Sequence, residues 1–200
     1  MVVALVAATT SFAQGHRLDY LLMNVVLDTN GDAYVQEIRQ MYTGNYGSEC
    51  YIKFNNRQQD MKLKSLNVME GERKYQVDRY WDLDRTRSEK AFHCGFNYTD
   101  EGTELCWGIG DVGYHIFVVQ YVITNVVRSY EESDGFNHSF YEAATPPAQT
   151  AVISVHAIQR NDSIEHTPED IWNLPYFQTR DISDWVSQNL TDNNVVTYDG

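Results

Sequence analysis

Two of the three cysteines in this 200-residue chain stand in one short stretch, "HCGFNYTDEGTELCWG" from His93 to Gly108, on either side of an acidic turn. Thiols so placed can be a structural staple, part of a metal site, a redox couple or two buried apolar side chains. A thioredoxin-type couple needs C-x-x-C, which does not occur here. A structural zinc site wants closely spaced pairs, and His93, next to Cys94, points to the opposite face of an extended strand. If "TDEG" is a type I turn with Gly102 left-handed, Thr99 faces Thr103, Cys94 lies opposite Gly108 and Cys106 lies opposite Phe96. Both sulfurs then point to one face, and a twist or bulge at Gly95 brings them into disulfide range. A Cys94–Cys106 disulfide is therefore expected, with a stabilisation of about 3 kcal/mol in the chain-entropy picture. A reduced, buried pair remains the alternative. Cys50 is left over as a free core thiol.

Other constellations are thin. The chain has no G-x-S-x-G, H-E-x-x-H or Walker sequence, and its six histidines never fall at ligand spacing. Glu131, Glu132 and Asp134 cluster in "SYEESDGFN". Paired carboxylates are what a glycosidase needs, but a solvated turn accounts for these more simply. "DTNGDA", Asp28 to Ala33, has the look of a calcium loop, yet Ala33 stands where glycine belongs and Arg39 where a bidentate glutamate belongs. No catalytic residue, metal or cofactor is expected. The sequons at Asn97, Asn137, Asn161 and Asn189 would matter only in a eukaryotic secretory route.

The elements that carry these residues read as strands. Leu18 to Leu27 and Ala33 to Thr43 flank Asn30-Gly31, the pair that a type I′ hairpin turn demands. Further runs are Cys50 to Asn55, Met61 to Glu70, Lys74 to Asp78, Ala91 to Tyr98 and Thr103 to Ile109. "DRYWDLDRTRSEKAF" between them predicts a loop with one helical turn. "YHIFVVQYVITNVV", Tyr114 to Val127, is apolar on both faces except at Gln120 and Thr124, which predicts a central strand. After the "TPPAQ" punctuation at Thr145 to Gln149, Ala151 to Ala157 alternates again. "TPEDIWNL" starts a short helix with Thr167 as cap and Pro168 in the first turn, and "NNVVTYDG" reads as a last strand. Short strands with frequent turn signals predict an all-β fold, an immunoglobulin-like β-sandwich of about 8–10 mostly antiparallel strands.

Composition sets the compartment and excludes some partners. Fifteen basic against 28 acidic residues give a formal charge of -13, a field that repels phosphate backbones and anionic lipid headgroups. Nucleic acid is thereby excluded, and "KLK" at Lys62 to Lys64 is the solvated face of a strand. The apolar run Val2 to Ala8, with Ser11 and Ala13 before Gln14, reads as the end of a secretory signal. Residues 1–13 are then a signal remnant, 14–160 the sandwich and 161–200 an extension of the same domain. Secretion permits a disulfide.

The block "KAFHCGFNYTDEGTELCWGIGDVGYHIFVVQYVITNVVRSYEESDGFNHSF", Lys90 to Phe140, with "LDTNGDAYVQE" upstream and "EDIW" downstream, resembles the N-terminal extracytoplasmic domain of the domain-of-unknown-function 2207 family of predicted bacterial membrane proteins. Bacteroides-type members share its K-x-x-C-G, E-L-C-W-G and D-G-x-N. The resemblance covers most of Leu18 to Trp172. It implies a signal peptide, a β-sandwich ectodomain and membrane attachment through segments outside this chain, which would be truncated before them. It brings no established activity, so no catalytic residue is carried over. The expectation is a non-enzymatic extracytoplasmic module, in the periplasm or at the cell surface, that binds or assembles with an unknown envelope protein or glycan. A hydrolase acting on envelope polysaccharide and a secreted calcium-binding adhesin are the alternatives.

Overall fold

The computed structural model describes residues 15–55, 60–129, 131, 134–136, 148–158 and 166–178. The signal remnant, Glu132, the sequons at Asn137, Asn161 and Asn189, and the expected last strand lie outside the described residues. Among the described residues the chain forms strands β1 Arg17–Leu27, β2 Ala33–Thr43, β3 Glu49–Asn55, β4 Leu63–Glu70, β5 Arg73–Lys74 and β6 Gln76–Val77, then helix α1 Arg87–Lys90. There follow β7 His93–Thr99, β8 Gly102–Gly108, β9 Gly113–Ile123, β10 Val127–Ser129, β11 Asp134–Phe136, β12 Ala148–Ala157, helix α2 Pro168–Trp172 and a 3-10 turn at Pro175–Phe177. The fold is all-β in class. A six-stranded sheet runs β12-β1-β2-β9-β4-β5, and a four-stranded sheet runs β3-β8-β7-β6.

Both sheets are mixed. β12 lies parallel to β1 and β6 parallel to β7, directions that side-chain alternation does not encode. β9 sits between β2 and β4, as its two apolar faces predict. It is shorter than the apolar run, because Asn125 takes a left-handed φ of 57° and the amides of Val126 and Val127 turn to the Gly31 carbonyl. The β1–β2 hairpin forms with a five-residue loop, Asp28 to Asp32, in place of the expected two-residue turn. Asp28 and Asn30 side chains cap the amides of Thr29 and Asp32, so Gly31 alone needs a positive φ, 89°. The expected Lys74 to Asp78 strand is split into two short pieces at Tyr75, which is buried.

The sheets share one core. Odd positions of β1, β2 and β9, among them Leu21, Val25, Val35, Phe117 and Val119, meet Ile52, Leu105 and Trp107 of the smaller sheet. Each such side chain contributes about 1.5–3 kcal/mol by leaving water. On the other face of the larger sheet, Ile171 of α2 and Phe177 close over Val26, Tyr34 and Val122. α2 begins where the sequence predicts: Thr167 Oγ1 accepts from the Asp170 amide at 3.2 Å, and Asp170 Oδ2 accepts from the Thr167 amide at 2.9 Å.

Candidate functional site

The expected site was that of Cys94 and Cys106. Thr99 pairs with Gly102, so the β7–β8 loop is two residues, not the longer turn expected. The Thr99 hydroxyl accepts from the Gly102 amide at 3.1 Å and donates to the Gly102 carbonyl at 3.0 Å. This register sets Cys94 opposite Trp107 and Cys106 opposite Gly95. One residue of slip reverses a face: Cys94 enters the inter-sheet core and Cys106 lies on the outer face, so the structure does not bring the two sulfurs together and all three cysteines are free. Burial pushes the Cys50 and Cys94 thiols up to about 12 and raises Cys106 further. Such thiols are poor nucleophiles at neutral pH. Of the carboxylates in "SYEESDGFN", Glu131 is exposed. Asn97 is spent on Glu104, its amide donating at 2.7 Å.

Sequence reasoning missed three polar clusters. Between the sheets, Glu37 is fully buried. It accepts from the Tyr121 hydroxyl at 2.6 Å and pairs with the Arg39 guanidinium at 2.6 Å, which stands 5.6 Å over the Trp107 ring. Burial and the Glu37 charge hold the Tyr121 phenol well above its ordinary value. The signal was available: positions 37 and 39 share the parity of Val35 and Met41, which face inward.

The second cluster lies on the outer face of the smaller sheet, crossed by the chain from Asp78 to Phe92. Trp81 covers Gly95, and the Lys90 backbone covers Gly108 so closely that an added Cβ would stand 1.8 Å from the Lys90 carbonyl oxygen. The Lys90 ammonium, 2% exposed, donates to Glu49 at 2.7 Å, the Leu83 carbonyl at 2.7 Å and Ser48 at 3.1 Å. Trp81 Nε1 donates to the same Glu49 oxygen at 2.7 Å. Three acceptors around one ammonium satisfy all its protons. Nearby, Asp78 takes His93 at 3.0 Å and Arg85 at 2.5 Å. Burial works to raise the Asp78 carboxyl, but the hydrogen bonds and charges of His93 and Arg85 outweigh it and hold it below its ordinary value.

The third arrangement faces outward, at the end of the larger sheet where β2 leaves and β9 enters. Tyr42 and Tyr114 are cross-strand partners with centroids 5.3 Å apart at 72°. The Arg17 guanidinium stands 5.8 Å from each ring, donates to the Tyr114 hydroxyl at 3.0 Å and is held by Asp19 at 2.6 Å. Tyr114 is 68% exposed; Ile116 is exposed two residues on along the same strand, Tyr20 on β1, and Tyr46 and Val112 on the adjoining loops. Those loops are tied down. Arg87 donates to the carbonyls of Gly44, Gly110 and Asp111, Thr43 Oγ1 donates to the Asp111 carbonyl, and the Gly44 amide donates to His16. His115, stacked on Phe117, reaches Glu70 at 2.5 Å and the Asp111 carbonyl at 3.1 Å. The arrangement can make apolar, cation–π and hydrogen-bond contact with a partner.

No protein-family model matches the chain, and no curated protein matches it. Among solved structures it is similar to a "putative protease" of Parabacteroides distasonis, at 11% identity and a TM-score of 0.35, over 72% of this chain and 29% of that one. It is also similar to an M1 zinc metallopeptidase of Deinococcus radiodurans bound to a Tyr-Ser-Ala substrate, at 10% identity and a TM-score of 0.31, over 72% of this chain and 32% of that one. The chain therefore spans about a third or less of either protein, and likenesses of this strength carry no argument about fold or activity.

Proposed function

We propose that this chain is a non-enzymatic, extracytoplasmic β-sandwich module of immunoglobulin-like type, belonging to a bacterial membrane protein and working in binding or assembly at the cell envelope. The resemblance to the domain-of-unknown-function 2207 ectodomain supports the compartment and the membrane context. The observation that carries the binding reading is the tyrosine-lined end. Exposed aromatic and aliphatic side chains on bonded-down loops yield little folding stability and are the common anchors of interfaces.

Two measurements test the reading. Alkaline phosphatase fused after Gly200, with residues 1–13 restored to a full leader only from the chain's own reading frame, is active only if that N-terminus directs the chain out of the cytoplasm; an inactive fusion sinks the compartment. Hydrogen exchange in the presence of a detergent-solubilised envelope fraction reports the contact face. Protection confined to residues 42–48 and 109–116 is the expected result; protection elsewhere, or none, sinks the binding reading.

A further inference from the structure

We propose that β3, the open edge of the smaller sheet, pairs antiparallel with β3 of a second copy of this chain about a two-fold axis at Tyr51. The surface is distinct from the tyrosine-lined end, and the inference does not rest on the binding reading. Each sheet ends on one side in a strand only two residues long, β5 and β6, and so short an edge offers little to pair with. The long edges are β12 and β3, and among the described residues no strand pairs with the far side of either. β12 has no Asp, Glu, Lys or Arg. β3 has one acid and one base, Glu49 and Lys53, placed evenly about Tyr51.

The direction of the free peptide groups follows from one hydrogen bond. The Ile109 amide donates to the Ser48 carbonyl at 3.0 Å, one step beyond the Glu49–Gly108 pair and in register with it. Peptide groups alternate sides along an antiparallel ladder. Ser48, Cys50, Ile52 and Phe54 therefore spend theirs on β8, while Glu49, Tyr51 and Lys53 turn theirs to the open edge. The side chains of these same residues share the outer face, since Cys50 and Ile52 belong to the inter-sheet core. Tyr51 is 41% exposed there.

That phase leaves few registers for a second copy. Outward residues must meet outward residues, or their amides and carbonyls find no mate. Lys53 opposite Lys53, or Glu49 opposite Glu49, brings like charges together, and Tyr51 opposite either charge leaves the other without a counter-ion. With Tyr51 opposite Tyr51, Glu49 of each copy faces Lys53 of the other and the two rings meet on the axis. The strand is then its own complement in backbone, charge and ring, which makes the partner a second copy and not an unrelated segment. Both charged side chains can serve. Trp81 and Lys90 bond to Glu49 through Oε2 alone. The Lys53–Glu101 pair is open to water, with the Glu101 side chain 75% exposed, so it holds Lys53 weakly.

The test uses the whole chain. Sedimentation should show a monomer–dimer equilibrium that shifts with protein concentration; a monomer at every concentration, or growth past the dimer, overturns the proposal. Lys53→Glu sets a carboxylate against Glu49 and should weaken the dimer by about tenfold or more, while its circular dichroism stays that of the parent chain. Equal dimerisation by this variant overturns the proposal. Position is read by oxidative cross-linking, the native thiols being buried. In the proposed register the two Tyr51 Cα atoms stand about 5.5 Å apart, inside the disulfide range, and the two Lys53 Cα atoms about 14 Å apart, outside it. Tyr51→Cys should therefore give a covalent dimer under mild oxidation and Lys53→Cys should not. Cross-linking at both positions alike, or at 53 alone, means chance collision or another register and overturns the proposal, as does the absence of a cross-link at 51.

Discussion

The outer face of the smaller sheet and the tyrosine end of the larger one use the same kinds of side chain in opposite ways. On the covered face, Trp81, Lys90 and Glu49 turn toward one another, and Trp81 and Lys90 retain 6% and 2% of their exposure. At the tyrosine end, Arg17 and Arg87 are held as fully, yet Tyr46 and Tyr114 remain 66% and 68% exposed. In the first region the bonds fix the aromatic ring itself; in the second they fix the scaffold around rings that stay in water. The lesson is one of assignment. A buried ammonium beside a carboxylate has the appearance of chemistry but is closed by its three acceptors, while the plain tyrosines have free surface.

The contrast breaks first at Gly108. Alanine there would drive its Cβ into the Lys90 carbonyl, a backbone atom that cannot swing aside. Gly108→Ala should cost more than about 4 kcal/mol, in the exceptional range for single substitutions, read from the midpoint of denaturant unfolding. Lys90→Ala comes next, since it leaves Glu49 without its cation and opens a void beneath Trp81. About 3 kcal/mol is expected, and Lys90→Met with Glu49→Gln should recover part of it. An additive double substitution would show that the pair does not act as a unit.

The thiols sharpen the comparison, because Cys106 lies on the covered face and Cys50 and Cys94 lie in the core. Intact mass should be the same with and without reductant, and alkylation at pH 8 should be negligible in the native state and complete at all three sites after unfolding. A loss of two hydrogens restored by reductant and mapped by peptide mass to Cys94 and Cys106 would return the chain to that bridge.

A smaller effect is expected in acid. The Asp78 carboxyl is held below its ordinary value by His93 and Arg85 against the opposing pull of burial. A group with a depressed folded pKa contributes stability above its unfolded value and loses it as pH falls through the folded one. Stability should therefore decline below the ordinary carboxylate range, and Asp78→Asn should flatten part of that decline. An unchanged acid limb would show that the His93 and Arg85 contacts do not hold the charge.

Much of the body was legible in the sequence, and the reasons are local. The run Ala33 to Thr43 formed with the expected bounds although its Asn30-Gly31 turn opened into a five-residue loop, β9 was placed centrally by apolar residues on both faces, and Thr167 announced α2. What was not legible depends on long-range geometry. A two-residue β7–β8 loop in place of a longer turn separates the cysteines to opposite faces. The parity of Glu37 and Arg39 turns them inward, but their partners Tyr121 and Trp107 stand far along the chain and no local pattern pairs them. Lys90 sat in a charged run, "RTRSEK", whose burial follows from Gly108 leaving room above it. The tyrosine end draws on residues 17, 42, 46, 112 and 114, which no spacing rule gathers.

The smallest stability effect is the most informative about function. Tyr114→Ser removes an exposed ring, its edge contact with Tyr42, and its hydrogen bond and ring contact with Arg17, which keeps its pair with Asp19. Tyr46→Ser removes an exposed ring on a loop held elsewhere by Arg87. Tyr46→Ser should change unfolding free energy by no more than about 0.5 kcal/mol, the usual range for surface positions, and Tyr114→Ser by about 1 kcal/mol, the scale of its contacts with Tyr42 and Arg17. Side chains that support the fold so little are free to be selected for contact, so a small stability change together with a loss of binding separates an interface from a scaffold. A cost of several kcal/mol would place the rings among the groups that hold the loops, and the exposed end would then differ from the covered face only in degree.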